Sequence, residues 1–254
     1  MTRVWEHTAD NLETGLKGIR YLLFDFGGTL DLPGVHWLDR FLRHYHDVAI
    51  ELTRPELDLA FADATRRGYQ AGERIYKYGL RPLLDLLVNW QIDYLLKHLS
   101  GRVPRSVRDA AKPIADRFCA ESMAGYIHSR RILAALVPRF RIGVVSNFYG
   151  NLETVLTEAG LRQFIHVVLD SSRLGIFKPD PLIFQAALTA LHADPRQTAM
   201  VGDSIAKDCM PACKVGLRTV WLNPAKEYTQ RIEAGVDLVV RDLNELLEIS
   251  LGAD

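Results

Sequence analysis

The sequence lacks a charge imbalance and any long apolar run. Lysine plus arginine and aspartate plus glutamate each number 31 in the 254 residues, so the formal net charge is zero. Bulk charge therefore gives no reason to expect a nucleic-acid or membrane partner. No run of about 18 apolar residues is present, so we expect no membrane-spanning helix.

Cysteines are also scarce. The three of them, Cys119, Cys209 and Cys213, form neither a disulfide framework nor a zinc-binding pattern. Free thiols in a reducing compartment are the simpler interpretation. The first 18 residues contain three acidic residues and lack the apolar stretch of a secretion signal. We therefore expect a cytoplasmic protein.

Alternating apolar runs and helical segments fill the second half of the chain. The apolar runs, together with an earlier one at Tyr21–Phe24, are Ile142–Val145, His166–Leu169, Ala199–Val201, Thr219–Leu222 and Asp237–Val240. The helical segments between them are Leu152–Ala159, Pro181–Leu191 and Ala206–Val215. This alternation predicts an α/β fold, with a Rossmann-like, doubly wound parallel sheet covered on both faces.

Strand signals disappear between about residues 35 and 125. Apolar residues recur at helical period from Trp37 to Leu52, and Leu83–Leu99 is apolar on several faces of a helix. We therefore expect an all-helical domain inserted after the first strand, with hinges near Asp31–Val35 and Ala120–Tyr126. The predicted division is an N-terminal lead-in at 1–19, an α/β core at 20–34 and 126–254, and a helical cap at 35–125.

Polar side chains follow several of the predicted strands. Ligands of open parallel sheets bind beyond the carboxyl ends of the strands. The residues expected at this rim are Asp25, Ser146, Asn147, Asp170, Ser171, Lys178, Asp203 and Asp208. Carboxylates are ligands for Mg²⁺, whereas a hydroxyl, a lysine and the N–H groups of a glycine turn suit a phosphate-like anion.

Four short motifs carry these residues in a fixed order. They are Asp25–Leu30 (DFGGTL), Ser146–Asn147 after an apolar strand, Lys178–Pro181 (KPDP) and Gly202–Asp208 (GDSIAKD). In this order and spacing the chain resembles the haloacid dehalogenase-like hydrolase superfamily, in the branch whose helical cap lies between the first and second motifs. The resemblance covers roughly residues 20 to 245.

The resemblance implies a Mg²⁺-dependent hydrolase, most often a phosphatase, acting on a small phosphorylated metabolite. It implies that Asp25 is a nucleophile that becomes an aspartyl-phosphate, assisted by Lys178. The phosphate-binding residues it implies are Ser146, Asn147, Lys178 and Gly28, and the metal ligands are Asp25, the carbonyl of Gly27, Asp203 and Asp208. We expect a monomer or a homodimer.

Gly27 departs from the family pattern, because phosphatases of the family have at this position an aspartate that protonates the leaving group. General acid–base help is worth roughly 10²–10⁴-fold. Three hypotheses follow. In the first, Asp31 or a cap residue supplies the acid. In the second, the protein is a phosphonate or other carbon-bond hydrolase on the same scaffold, and a phosphonate hydrolase would use Lys77 or Lys97 as a Schiff base. In the third, it binds a phosphorylated ligand or a protein without turnover. If the scaffold is otherwise competent, Gly27→Asp should raise the hydrolysis of alkyl phosphates.

Overall fold

We describe the protein from a computed structural model, over residues 16–99, 101–225 and 235–252. Most of the predicted lead-in at 1–19 lies outside these ranges. In the described part of the chain, no helix is both long enough and apolar enough to cross a membrane.

A sheet of six parallel strands forms the centre of the molecule. The strands are β1 (Tyr21–Phe24), β2 (Arg141–Ser146), β3 (Val167–Asp170), β4 (Thr198–Gly202), β5 (Arg218–Leu222) and β6 (Leu238–Val240). Their spatial order is β3-β2-β1-β4-β5-β6, so the sheet is doubly wound, with β1 and β4 on either side of the point where the order reverses. Each predicted strand corresponds to an observed one, and the predicted fold class is confirmed.

Strand β1 is apolar throughout because both faces of the sheet are covered. Leu22 and Phe24 point into one hydrophobic cluster, whereas Leu23 between them points into a second cluster on the opposite face. All three side chains are fully buried. This strand therefore holds the residue that follows it, Asp25, in a fixed position at the rim of the sheet.

The helices fall into two groups. Those of the insert are α1 (Trp37–His46), α2 (Arg54–Ala71), α3 (Leu80–His98) and α4 (Ala111–Leu136). Those of the core are α5 (Leu152–Glu158), α6 (Ser171–Leu174), α7 (Leu182–Leu191), α8 (Met210–Lys214) and α9 (Leu243–Leu251), and a π-helical turn at Ile205–Cys209 precedes α8. Helix α2 begins at a capping box, in which Glu56 accepts hydrogen bonds from the backbone N–H and the hydroxyl of Thr53.

The predicted boundary between residues 125 and 126 falls inside α4, which runs unbroken from the cap into the core. Gly125 lets this helix pass close to the backbone of the first predicted hinge, Asp31–Val35. A Cβ at this position would lie 1.6 Å from the carbonyl oxygen of Asp31. The segment expected to act as a hinge at Ala120–Tyr126 is therefore a continuous helix packed directly on the loop after β1.

The cap and the core are in close contact elsewhere too. A Cβ on Gly68 of α2 would lie 2.5 Å from the ring of Tyr149, and one on Gly150 would lie 2.1 Å from the ring of Tyr76. The Asn151 side chain donates a hydrogen bond to the carbonyl oxygen of a cap residue, Tyr78, at 2.8 Å. The cap is thus closed over the rim of the sheet.

Candidate active site

The carboxyl ends of adjacent strands bring the predicted polar residues together. Asp25 follows β1, Ser146 ends β2 and Asp203 follows β4, and β1 pairs with both of the other strands. Lys178 reaches the same place from the loop after α6. The residues that line the pocket at this rim are Asp25, Gly27, His36, Trp37, Phe61, Thr65, Tyr69, Ser146, Asn147, Phe148, Tyr149, Lys178, Asp203, Ser204 and Lys207.

One oxygen of Asp25 is held by two donors. Ser146 Oγ donates to Asp25 Oδ1 at 2.7 Å, and Lys178 Nζ lies 2.9 Å from the same atom. Lys178 Nζ also donates to Asp208 Oδ1 at 2.6 Å. Burial alone would lower the pKa of Lys178, but the carboxylates of Asp208 and Asp25 raise it well above its ordinary value. The lysine is therefore a fixed cation between two acids.

Asp203 is the carboxylate best suited to a metal ion. Ligand atoms of Asp25, Asp203 and Asp208 lie within 4.8 Å of one another. Burial, followed by the charge of Asp25, raises the pKa of Asp203 to about 8. Within the described ranges we find no hydrogen-bond donor to its side chain. A desolvated carboxylate of this kind, beside a second one, fits a hard cation such as Mg²⁺.

Asp208 is engaged differently. It is fully buried, and burial raises its pKa to about 6 although Lys178 opposes this rise. Its Oδ1 accepts the Lys178 bond, and its Oδ2 accepts the backbone N–H of Ser204 at 3.1 Å. Asp208 thus positions both the lysine and the loop that carries Asp203.

Two residues predicted to bind phosphate have other partners. The N–H of Gly28 donates to Asp31 Oδ1 at 2.7 Å. The N–H that we expected to bind the phosphate therefore already has a partner. The Asn147 side chain donates to the carbonyl oxygen of Lys178 at 2.9 Å and accepts the Lys178 N–H at 2.7 Å. The Asn147 side-chain amide therefore clamps the backbone of Lys178.

Gly28 has a separate, steric reason to be glycine. Its φ of +80° lies in the left-handed region, and a Cβ would lie 2.4 Å from Asp203 Oδ2. The glycine turn after Asp25 is thus shaped to let the Asp203 carboxylate approach.

Asp31, the first substitute considered for the missing acid, cannot serve. Its carboxylate is fully buried and accepts four hydrogen bonds, from Gly28 N, Leu32 N, Trp37 Nε1 and Arg40 Nη1. Its two oxygens are occupied by N–H donors of the protein, and Asp31 does not line the pocket, so its carboxylate is not placed to reach a leaving group. Asp31 instead ties the loop after β1 to α1.

Lys77 and Lys97, the lysines considered for a Schiff base, are both exposed, and neither lines the pocket. The phosphonate-hydrolase hypothesis therefore lacks its cap lysine.

The cap side of the pocket was not predictable from the motifs. His36, Phe61, Thr65 and Tyr69 line it from the start of α1 and from α2. The volume of the pocket is about 110 Å³, and its cap wall is largely aromatic. The helical period of α1 and α2 was visible in the sequence, but which of their faces meets the core depends on the docking of the cap.

Comparisons with known proteins agree with this geometry. The model of the haloacid dehalogenase-like hydrolase family matches residues 19–216. A phosphoserine phosphatase of Thermus thermophilus is 42% identical over 198 residues, which cover 70% of this chain and 74% of that protein. Haloacid dehalogenase-like hydrolase domain-containing protein 3 of Mus musculus is 30% identical over 181 residues, covering 68% of this chain and 69% of the relative.

Among solved structures, the HAD-hydrolase YfnB of Bacillus subtilis superposes with a TM-score of 0.57 at 22% identity, covering 91% of this chain and 98% of that one. This likeness concerns the fold. The family itself is shown by the match to the family model, which spans most of the chain. The chain belongs to the haloacid dehalogenase-like hydrolase family.

Proposed function

We propose that the protein is a Mg²⁺-dependent phosphatase that acts on a small phosphorylated metabolite through an aspartyl-phosphate on Asp25. The observation that carries the proposal is the Lys178 bridge between Asp25 and Asp208, at 2.9 and 2.6 Å, beside the Asp203 carboxylate. A nucleophile, a fixed cation and a metal-binding acid around one pocket are the parts that phosphoryl transfer needs.

The reaction begins with attack of an Asp25 oxygen on phosphorus. Asp25 Oδ1 is held by Ser146 and Lys178, which leaves Oδ2 as the freer oxygen. The bond from phosphorus to the leaving oxygen breaks, and Lys178 with the rotatable Ser146 hydroxyl stabilises the phosphoryl oxygens. Water then attacks the aspartyl-phosphate, releasing inorganic phosphate and restoring the carboxylate.

The metal ligands would be Asp25, Asp203 and the carbonyl of Gly27, with Asp208 supporting the loop that carries Asp203. When bound, Mg²⁺ offsets the negative charge of the phosphoryl group and of the two carboxylates. The carbonyl of Gly27 needs no side chain, so the departure at this position leaves the metal site intact. What the glycine removes is the proton donor.

The small pocket volume favours a small substrate, and phosphoserine is the first metabolite to try because a relative with 42% identity is a phosphoserine phosphatase. A reducing cytoplasm suits the three cysteines, which are all free.

The test is turnover with Mg²⁺ of acetyl phosphate, 4-nitrophenyl phosphate, phosphoserine and a simple alkyl phosphate. We expect the two activated substrates to react well and the alkyl ester slowly, because a general acid is worth roughly 10²–10⁴-fold. Asp25→Asn is the control and should abolish turnover of all four. No turnover of any of them, with phosphate still bound, would favour a phospholigand-binding protein and overturn the proposal.

A further inference from the structure

The leaving group needs a hydrogen-bond donor on the cap side of the pocket. Gly27 offers no side chain, and the Trp37 N–H is already donated to Asp31 at 2.6 Å. Such a donor can come from another lining residue that has an N–H or O–H without a partner. His36 meets this requirement, because it lines the pocket from the loop that joins the core to α1.

His36 is the N-cap of α1, and this role fixes its tautomer. Its Nδ1 accepts the backbone N–H of Leu38 at 3.2 Å. A ring nitrogen that accepts a hydrogen bond carries no proton, so the proton of the neutral imidazole is on Nε2. In the described part of the chain, no hydrogen bond or ion pair engages His36 Nε2.

The surroundings of His36 keep the ring neutral. Burial lowers the pKa of His36 below its ordinary value, and Lys207 lowers it further. Asp39 and Asp25 act in the opposite direction, and Arg54 adds a smaller lowering effect. Protonation would also place a hydrogen on Nδ1, where the helix cap requires an acceptor.

We propose that His36 binds the leaving-group oxygen of the substrate through its Nε2–H, in place of the acid missing at Gly27. The proposal rests on the proposed function. It is a donor role and not an acid role: as the phosphorus–oxygen bond breaks, the leaving oxygen takes the electron pair and gains negative charge. The Nε2–H bond stabilises that charge, and water supplies the proton that completes the alcohol.

Two other polar side chains, Thr65 and Tyr69, line the cap wall, and both offer a hydroxyl and not an N–H. Thr65 Oγ1 lies 3.4 Å from the hydroxyl of Tyr149 and shares a hydrogen bond with it. The ring of Tyr69 is held between Tyr149, at 5.3 Å, and Phe177, at 4.9 Å between centroids. The His36 ring is held edge-on to Phe61 at 6.1 Å and is fixed by the helix cap besides.

Two substitutions test the roles of the two ring nitrogens separately. Asparagine resembles the Nδ1 side of histidine, so His36→Asn keeps an N-cap acceptor and loses the donor in the pocket. Glutamine reaches as far as Nε2, so His36→Gln keeps a neutral donor and loses the cap. We expect H36N to lower kcat/KM for alkyl phosphates about 10-fold while leaving 4-nitrophenyl phosphate within about 2-fold, the loss of one hydrogen bond to developing charge. H36Q should retain most alkyl-phosphate activity but melt at a lower temperature.

The slope of log kcat/KM against leaving-group pKa is therefore the decisive readout, and it should steepen in H36N and stay unchanged in H36Q. Equal slopes in wild type and H36N would overturn the role of His36 while leaving the phosphatase proposal in place. Absence of turnover of every substrate by the wild type would instead overturn the proposed function. Nitrogen-15 NMR of the wild-type histidines gives a test that needs no variant. A His36 ring protonated on Nδ1 at neutral pH contradicts the proposal.

Discussion

The indole of Trp37 occupies the space into which a side chain at position 27 would project. A Cβ on Gly27 would lie 3.1 Å from Trp37 Nε1, closer than most contacts of real Cβ atoms. The indole has little freedom to move, because its N–H is bound to Asp31 at 2.6 Å and its ring packs edge-on against Phe118 at 5.0 Å. The glycine at position 27 and Trp37 are thus complementary, since the indole fills the space that an aspartate side chain at position 27 would need.

We therefore expect that Gly27→Asp alone does not raise alkyl-phosphate hydrolysis, contrary to the expectation from the motif. Overpacking of this kind destabilises a protein by about 1–3 kcal/mol. The added carboxylate would also lie near Asp25. Combining it with Trp37→Leu should make room for the acid, and alkyl-phosphate turnover should then rise by about 10-fold or more over Trp37→Leu alone. A gain in the single variant equal to that in the double variant would show that the indole is no obstacle.

Gly125→Ala tests the close passage of α4 over the first hinge. Helix propensity alone predicts that alanine stabilises a helix interior by about 1 kcal/mol relative to glycine. The carbonyl oxygen of Asp31 lies 1.6 Å from the position of the new Cβ, so we expect destabilisation by at least about 2 kcal/mol. The sign of the change in unfolding free energy, measured by urea denaturation, separates the two effects. Ala124→Gly, at an exposed position in the interior of the same helix, is the matched control and should show the propensity effect alone.

Lys178→Met should weaken the fold as well as the chemistry. The substitution removes the cation between Asp25 and Asp208 and leaves two carboxylates in a buried site without their partner. Breaking a buried pair in this way costs about 3–5 kcal/mol of unfolding free energy. Lys112→Met is the control, because Lys112 is 78% exposed in its ion pair with Asp116 and should change stability by less than about 0.5 kcal/mol. A loss of activity with unchanged stability would mean that Asp25 and Asp208 are solvated well enough without the lysine.

The strands and the rim residues could be predicted because each apolar run is short and β1, β2 and β4 are followed, directly or after one glycine, by a polar residue. Asp25, Ser146 and Asp203 needed only the rule that parallel strands end at the same edge. The engagement of the Gly28 amide by Asp31 could not be predicted, since it depends on a loop whose course is set by Trp37 and Arg40. The position of His36 likewise depends on the docking of the cap, which local sequence patterns do not encode.

Mg²⁺ binding at this site should release a proton at neutral pH. Burial and the charge of Asp25 raise the pKa of Asp203 to about 8, so without metal the carboxyl keeps its proton below that pH. Metal ligands bind in the deprotonated form, so Mg²⁺ affinity should rise as the pH increases toward about 8 and level off above it. Calorimetry at pH 7 in two buffers of different ionisation enthalpy should give different apparent enthalpies, corresponding to nearly one proton released, and the difference should vanish near pH 9. Asp203→Asn should abolish both the binding and the release, whereas Asp109→Asn, at an exposed position, should change neither. Binding at pH 7 without buffer dependence would mean that Asp203 is already ionised, and that Lys178 or solvent stabilises its charge before the metal arrives.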